Sequence, residues 1–177
     1  MLNPLRAGVV LASLFFCAQA SVAGIDLRID RNPDWKRAET MEALVLVFED
    51  WLDAHSELKR MDSLPEIKFI ARQTAATQIG RADRHGGRTR GLYDEEARTI
   101  FLVRPWDATL AKDVSVLLHE LVHVRQTGHH FYCPGAQEEA AYRLQEQWLQ
   151  ERGLHANVNW IAVVLESGCT PNDFHPD

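Results

Sequence analysis

The segment His119-Glu120-Leu121-Val122-His123 sets two imidazoles four residues apart, with a carboxylate beside the first. On a helix, residues i and i+4 lie one above the other, so both rings offer a nitrogen to a single point. Neutral imidazole binds zinc at about 2.0–2.1 Å in tetrahedral geometry, and a catalytic site keeps one position open for water. The metal brings the pKa of that water near neutrality, and the adjacent glutamate takes its proton as it attacks a carbonyl. The expected chemistry is metal-assisted hydrolysis, with Zn2+ as cofactor, His119 and His123 as ligands and Glu120 as general base. Five residues of this pattern arise readily by chance, so the surroundings matter. Val116, Leu117, Leu121, Val122 and Val124 are apolar, as a helix buried behind a metal requires. Arg125 stands where an apolar residue is more usual. Two histidines buried there without a metal would each require another polar partner.

The third ligand decides the subclass, and two positions compete. His129 lies ten residues after His119, the metzincin spacing. That arrangement needs a glycine three residues after the second histidine and a methionine turn downstream. Here the residue is Gln126, and the methionines are Met1, Met41 and Met61, all upstream. The other position opens the next helical stretch, Glu138-Glu139-Ala140-Ala141-Tyr142. Glu138 shares a helical face with Tyr142, Gln145 and Leu149, whereas Glu139 falls one residue off it, so periodicity favours Glu138.

An HExxH helix, a loop and a second helix beginning Glu-x-x-Ala-Tyr resemble the gluzincin metallopeptidases, whose third ligand is a glutamate on the following helix. There a small and a polar residue follow that glutamate by three and four, as Ala141 and Tyr142 follow Glu138. The strand-like pair at residues 91–94 and 99–102 is similar to the strands preceding the active-site helix in small gluzincins. The resemblance covers about residues 91–149 and rests on the two helix motifs. It implies a minimal zincin-like domain, Zn2+ held by His119, His123 and Glu138, and a peptide or protein as substrate. Gluzincins also supply a tyrosine or histidine to the oxyanion, for which Tyr132, His129, His130 and His155 are all open candidates. Tyr142 is expected to hydrogen-bond a ligand from behind.

The elements that must carry these residues are readable in outline. Asn32-Pro33 reads as a helix start, continued by Trp35, Met41, Leu44, Val45, Phe48, Trp51 and Leu52 to about His55. Residues 66–72 alternate as a short strand, and residues 74–79 suit a helical turn or two. Residues 91–94 and 98–103 read as two strands joined at Glu95-Glu96. Helices are expected over 107–127, closed by Gly128, over 137–152, closed by Gly153, and over 157–167. Without repeat or linker, the fold class is α+β: mainly helical, with a small antiparallel sheet beside the active-site helix.

The chain has 177 residues, 46% hydrophobic and 25% charged, which suits one globular domain rather than disorder. Its net charge of -6 lacks the basic surplus of a nucleic-acid binder, and the arginines at 81, 84, 88 and 90 beside Gly86-Gly87 read as a solvated loop. Residues 1–23 have the layout of a secretory signal peptide, a basic start, an apolar run over 7–18, then small residues at Ala18-Gln19-Ala20 and Ser21-Val22-Ala23. That run falls short of the roughly 20 residues a membrane span needs, so no stable anchor is expected after cleavage. The expected locale is the periplasm or the exterior, with residues 24–177 as a single metallohydrolase domain. Cys17 leaves with the leader, and Cys133 and Cys169 are then expected to form a disulfide. Two other functions remain open: a zinc hydrolase of a cell-wall peptide or other non-protein amide, and a zinc-binding regulatory module without turnover. Intact Glu120 weighs against the second.

Overall fold

The structure is a computed structural model and describes residues 34–78 and 89–169. The leader read at residues 1–23 and the arginines at 81, 84 and 88 lie outside them. The described chain is a mixed α/β assembly, about half helical, with one three-stranded sheet. None of its helices is long and apolar enough to cross a membrane.

A 3-10 turn at Asp34–Arg37 precedes helix α1, Met41–His55. The expected start at Asn32-Pro33 lies outside the described residues, and the helix expected to follow it is interrupted between Arg37 and Met41. Thr40 is extended, and its hydroxyl accepts from the backbone N–H of Ala43 at 3.1 Å, a cap typically worth about 1 kcal/mol. Leu44, Val45, Phe48 and Leu52 bury one stripe of α1. Trp35 still reaches the core from its separate turn, edge-on to Trp148 with centroids 6.0 Å apart.

Strand β1 (Glu66–Ile70) leads into the short helix α2 (Arg72–Gln78), and β2 (Gly91–Asp94) and β3 (Thr99–Val103) form a hairpin. The sheet order is β1-β3-β2, with β2 antiparallel and β1 parallel to β3. The sheet is thus mixed, not antiparallel as expected, because β1 docks on the far side of β3 from the hairpin. Ile100 and Leu102 of β3 are fully buried against the helices.

Helix α3, Ala111–Gln126, is the centre of the molecule, and 13 of its 16 residues are buried. A helix buried nearly all round must find partners for every polar group it carries. Arg125 shows how. Its guanidinium, 1% exposed, donates to the Glu49 carboxylate at 2.6 Å, to Asp53 at 2.7 Å and to the carbonyls of Glu49 and Leu58. The apparent departure from an apolar pattern is a buried ion pair that fastens the back of α3 to α1.

Helix α4, Glu138–Gln150, packs across the front of α3. Its Trp148 sits edge-on to Phe48 at 5.3 Å. Gly128 and Gly153 close α3 and α4 at φ +79° and +68°, where a Cβ would strain the backbone. Helix α5, Trp160–Ser167, is capped by Asn159 and packs on α4 and on the 3-10 turn Pro134–Gln137 that leads into it. Cys133 and Cys169 are disulfide-bonded and secure that contact.

Candidate metal centre

The antiparallel crossing of α3 and α4 brings the first residue of α4 to the middle of α3. His119 and His123, one turn apart, bring their Nε2 atoms within 3.2 Å of each other. Glu138 meets them with one oxygen each: Oε2 lies 3.3 Å from His119 Nε2 and Oε1 lies 3.6 Å from His123 Nε2. Two ligands about 2.0–2.1 Å from a tetrahedral zinc lie about 3.3 Å apart. The separations of the two imidazole nitrogens from each other and from the nearer Glu138 oxygen are of that size, and one donor atom from each of the three residues lies within 4.8 Å of the others, so the donors form a triangle. Among the described residues, this is the one group of three or more His, Cys, Asp or Glu whose donor atoms converge closely enough to hold a metal. Glu139 turns away, bonding Arg143 at 2.6 Å and the Ser167 hydroxyl at 3.2 Å.

The charges in this pocket are strongly coupled. Burial pushes the Glu138 carboxyl up, but hydrogen bonds from His119 and His123 outweigh it and hold Glu138 far below the ordinary carboxylate range. Burial lowers His123, yet the bond to Glu138 and the nearby Glu120 carry it up to about 9. Each of the two groups thus favours the charged form of the other.

Glu120, 5% exposed, is aimed from α3 at strand β2. The N–H of Val103 donates to the Arg90 carbonyl, and in an antiparallel ladder alternate residues face the partner strand. Leu92 and Asp94 accordingly face β3, while Gly91 and Tyr93 turn their backbone groups outward. The outward N–H of Tyr93 donates to the Glu120 carboxylate. Burial raises the Glu120 carboxyl above its ordinary range, against the pull of His119, His123 and this N–H. A Cβ at Gly91 would lie 2.5 Å from Glu120 Oε1 and 2.8 Å from Val116 Cγ1. Only glycine leaves room for the carboxylate here. Nothing in the chemistry-bearing motif announces Gly91; the available signal is a glycine opening a strand, which marks a close approach.

Gln126, which in the sequence weighs only against a metzincin, is a second residue of the site. It is 3% exposed, its Oε1 lies 2.8 Å from His123 Nδ1, and its amide nitrogen donates to the Gln137 carbonyl at 3.0 Å. His119 Nδ1, also buried, finds no partner among the described residues.

The remaining candidates divide clearly. The Tyr142 ring packs on His119 with centroids 4.5 Å apart, a ring contact rather than the expected hydrogen bond. Burial and the neighbouring Glu138, Glu120 and Glu166 push its hydroxyl up to about 12, so it stays protonated. Tyr132 is 93% exposed, beside His130 at 5.9 Å, and His129 is exposed on the same loop. His155 bonds Glu146 at 2.6 Å. Glu146 lies eight residues along α4 from Glu138, roughly 12 Å along the helix axis. His155 is thus remote from the triangle.

The fold and site define a mixed α/β domain with a His/His/Glu cluster that could hold a metal and a buried carboxylate beside it. Residues 37–177 match the family described as Domain of unknown function (DUF6647), and the chain belongs to that family. The match spans every residue of the cluster, Gly91, and both cysteines. No curated protein and no solved structure matches the chain.

Proposed function

We propose that this protein is a zincin-like, zinc-dependent metallopeptidase, with His119, His123 and Glu138 as the residues that would hold Zn2+. The observation that carries the reading is the convergence of these three donor side chains, within 4.8 Å of one another, which is the number of protein ligands a catalytic zinc site uses. Bound there, zinc supplies Lewis acidity, polarising a carbonyl and acidifying water. Glu120 supplies the base. Its carboxylate is buried, raised in pKa and fixed by the Tyr93 N–H, so it takes a proton from the attacking water and returns it to the leaving nitrogen. The Cys133–Cys169 bond supports an exported protein, since disulfides persist in oxidising compartments.

The test is zinc content of the purified protein, wild type beside Glu138→Ala and Glu139→Ala, followed by a peptide screen with Glu120→Ala as inactive control. Near-stoichiometric zinc that is lost in Glu138→Ala and kept in Glu139→Ala supports the reading. A wild type that binds no zinc at neutral pH sinks it.

A further inference from the structure

Gln126 joins two parts of the triangle that are distant in sequence. Its amide nitrogen meets the Gln137 carbonyl, which can only accept. That fixes the amide's orientation, so its oxygen must be the atom facing His123. An amide oxygen also only accepts, so the ring nitrogen opposite it, Nδ1, must carry a hydrogen. The lone pair of a neutral His123 is thereby placed on Nε2, the atom that faces His119 and Glu138. Gln126 itself is buried, so its amide is held between these two partners.

The same side chain grips the backbone carbonyl immediately before Glu138. It lies three residues after His123 on α3 and eleven before Gln137 in the chain, across the loop that separates the two helices. We infer that Gln126 is the positioning residue of the metal site, setting the tautomer and orientation of His123 and the starting point of the Glu138 helix through one amide. His119 has no equivalent, its Nδ1 being without a partner among the described residues. The two histidines are therefore unequal: His123 is pre-set, and His119 is held by packing against Tyr142.

The inference rests on the zinc reading above, and one set of measurements separates the two. Zinc affinity is measured by chelator competition for wild type, Gln126→Leu and Gln126→Glu, and nitrogen NMR of histidine-labelled, zinc-loaded wild type reports the ring tautomers. We expect His123 protonated at Nδ1 and zinc-bound through Nε2. Affinity should fall about 10–100-fold in Gln126→Leu, the usual effect of removing a group that orients a ligand. Gln126→Glu keeps an acceptor for Nδ1 but loses the donor to the Gln137 carbonyl, so it should recover only part of that loss, a partial rescue that mere filling of space would not predict. Zinc-loaded wild type with His123 bound through Nδ1, or equal affinity in Gln126→Leu, overturns this inference alone. Should Gln126→Leu fail to fold, the wild-type tautomer decides. A wild type that binds no zinc overturns both readings.

Discussion

Replacing Gly91 with alanine tests the geometry of the proposed base without touching a ligand. The new Cβ would stand 2.5 Å from Glu120 Oε1, 2.9 Å from Glu120 Cγ and 2.8 Å from Val116 Cγ1. Comfortable contact between heavy atoms begins near 3.5 Å, so roughly 1 Å of space must open. Val116 belongs to a helix buried on nearly every side and yields little. The softer response is rotation of the Glu120 side chain, which breaks its bond from the Tyr93 N–H. A misplacement of about 1 Å in a reacting group costs on the order of 100-fold in rate, equivalent to about 2.7 kcal/mol. Overpacking adds a stability loss of about 1–3 kcal/mol. Gly91→Ala should thus keep its zinc, melt a few degrees lower and lose about 100-fold in kcat/KM on whatever peptide the wild type cleaves. Zinc content, thermal melting and kinetics on one preparation check all three. Full activity in a folded, zinc-loaded Gly91→Ala would refute the placement of Glu120 as base, and loss of zinc would show that the strain falls on the ligands.

The raised His123 pKa gives the metal-free protein a proton that zinc must displace, so zinc affinity should rise about tenfold per pH unit and flatten above about 9, with calorimetry in buffers of different ionisation heat reporting the proton released. In the same metal-free protein, the stability from protonated His123 is complete below about 6.5, the ordinary histidine value, and is lost as pH climbs through about 9. Glu49→Ala leaves the Arg125 guanidinium without its main buried partner and should cost about 3–5 kcal/mol, a drop of roughly 10 °C in Tm. Arg125 faces away from the metal cluster, so the folded fraction of Glu49→Ala should bind zinc as the wild type does. Reduction by a dithiol, or Cys169→Ser, should cost about 2–4 kcal/mol and weaken zinc binding as well, because α5 buttresses the turn that delivers Glu138. Unchanged zinc affinity after confirmed reduction would separate the disulfide from the site.

What was legible in the sequence was local. The spacing of His119 and His123 needs only helical geometry, and periodicity favours Glu138 over Glu139 because it shares a face with Tyr142. The structure adds the reason Glu139 is spare: Arg143 and Ser167 occupy it. Arg125 was opaque because its partners, Glu49 and Asp53, lie more than 70 residues upstream. The parallel pairing of β1 with β3 was equally hidden, since neither strand encodes which edge the other will join. Gly91 acts by what it lacks, and its neighbour Glu120 is 29 residues away on another element. The break before α1 was readable, as Thr40 immediately precedes the apolar stripe, but Asn32-Pro33 offered a competing start.

The crossing of α3 and α4 explains how so small a domain could hold three donor atoms in register. Four residues before His119, the Ser115 hydroxyl accepts from the amide of Gln145 at 3.0 Å in the buried interface. Three residues after His123, Gln126 reaches the backbone at Gln137. The donor triangle lies between these two buried bridges. One bridge alone would leave α4 free to pivot about it, and a swing of a few degrees over two helical turns moves Glu138 by about half an ångström. Two bridges, one on each side, fix both the separation and the rotation of the helices. Behind α3, Arg125 anchors the same turn that carries His123 to α1, so α3 is held from both faces. The polar residues of this interior are therefore spent on alignment, and the apolar ones, Leu117, Leu118, Leu121 and Leu149, on cohesion.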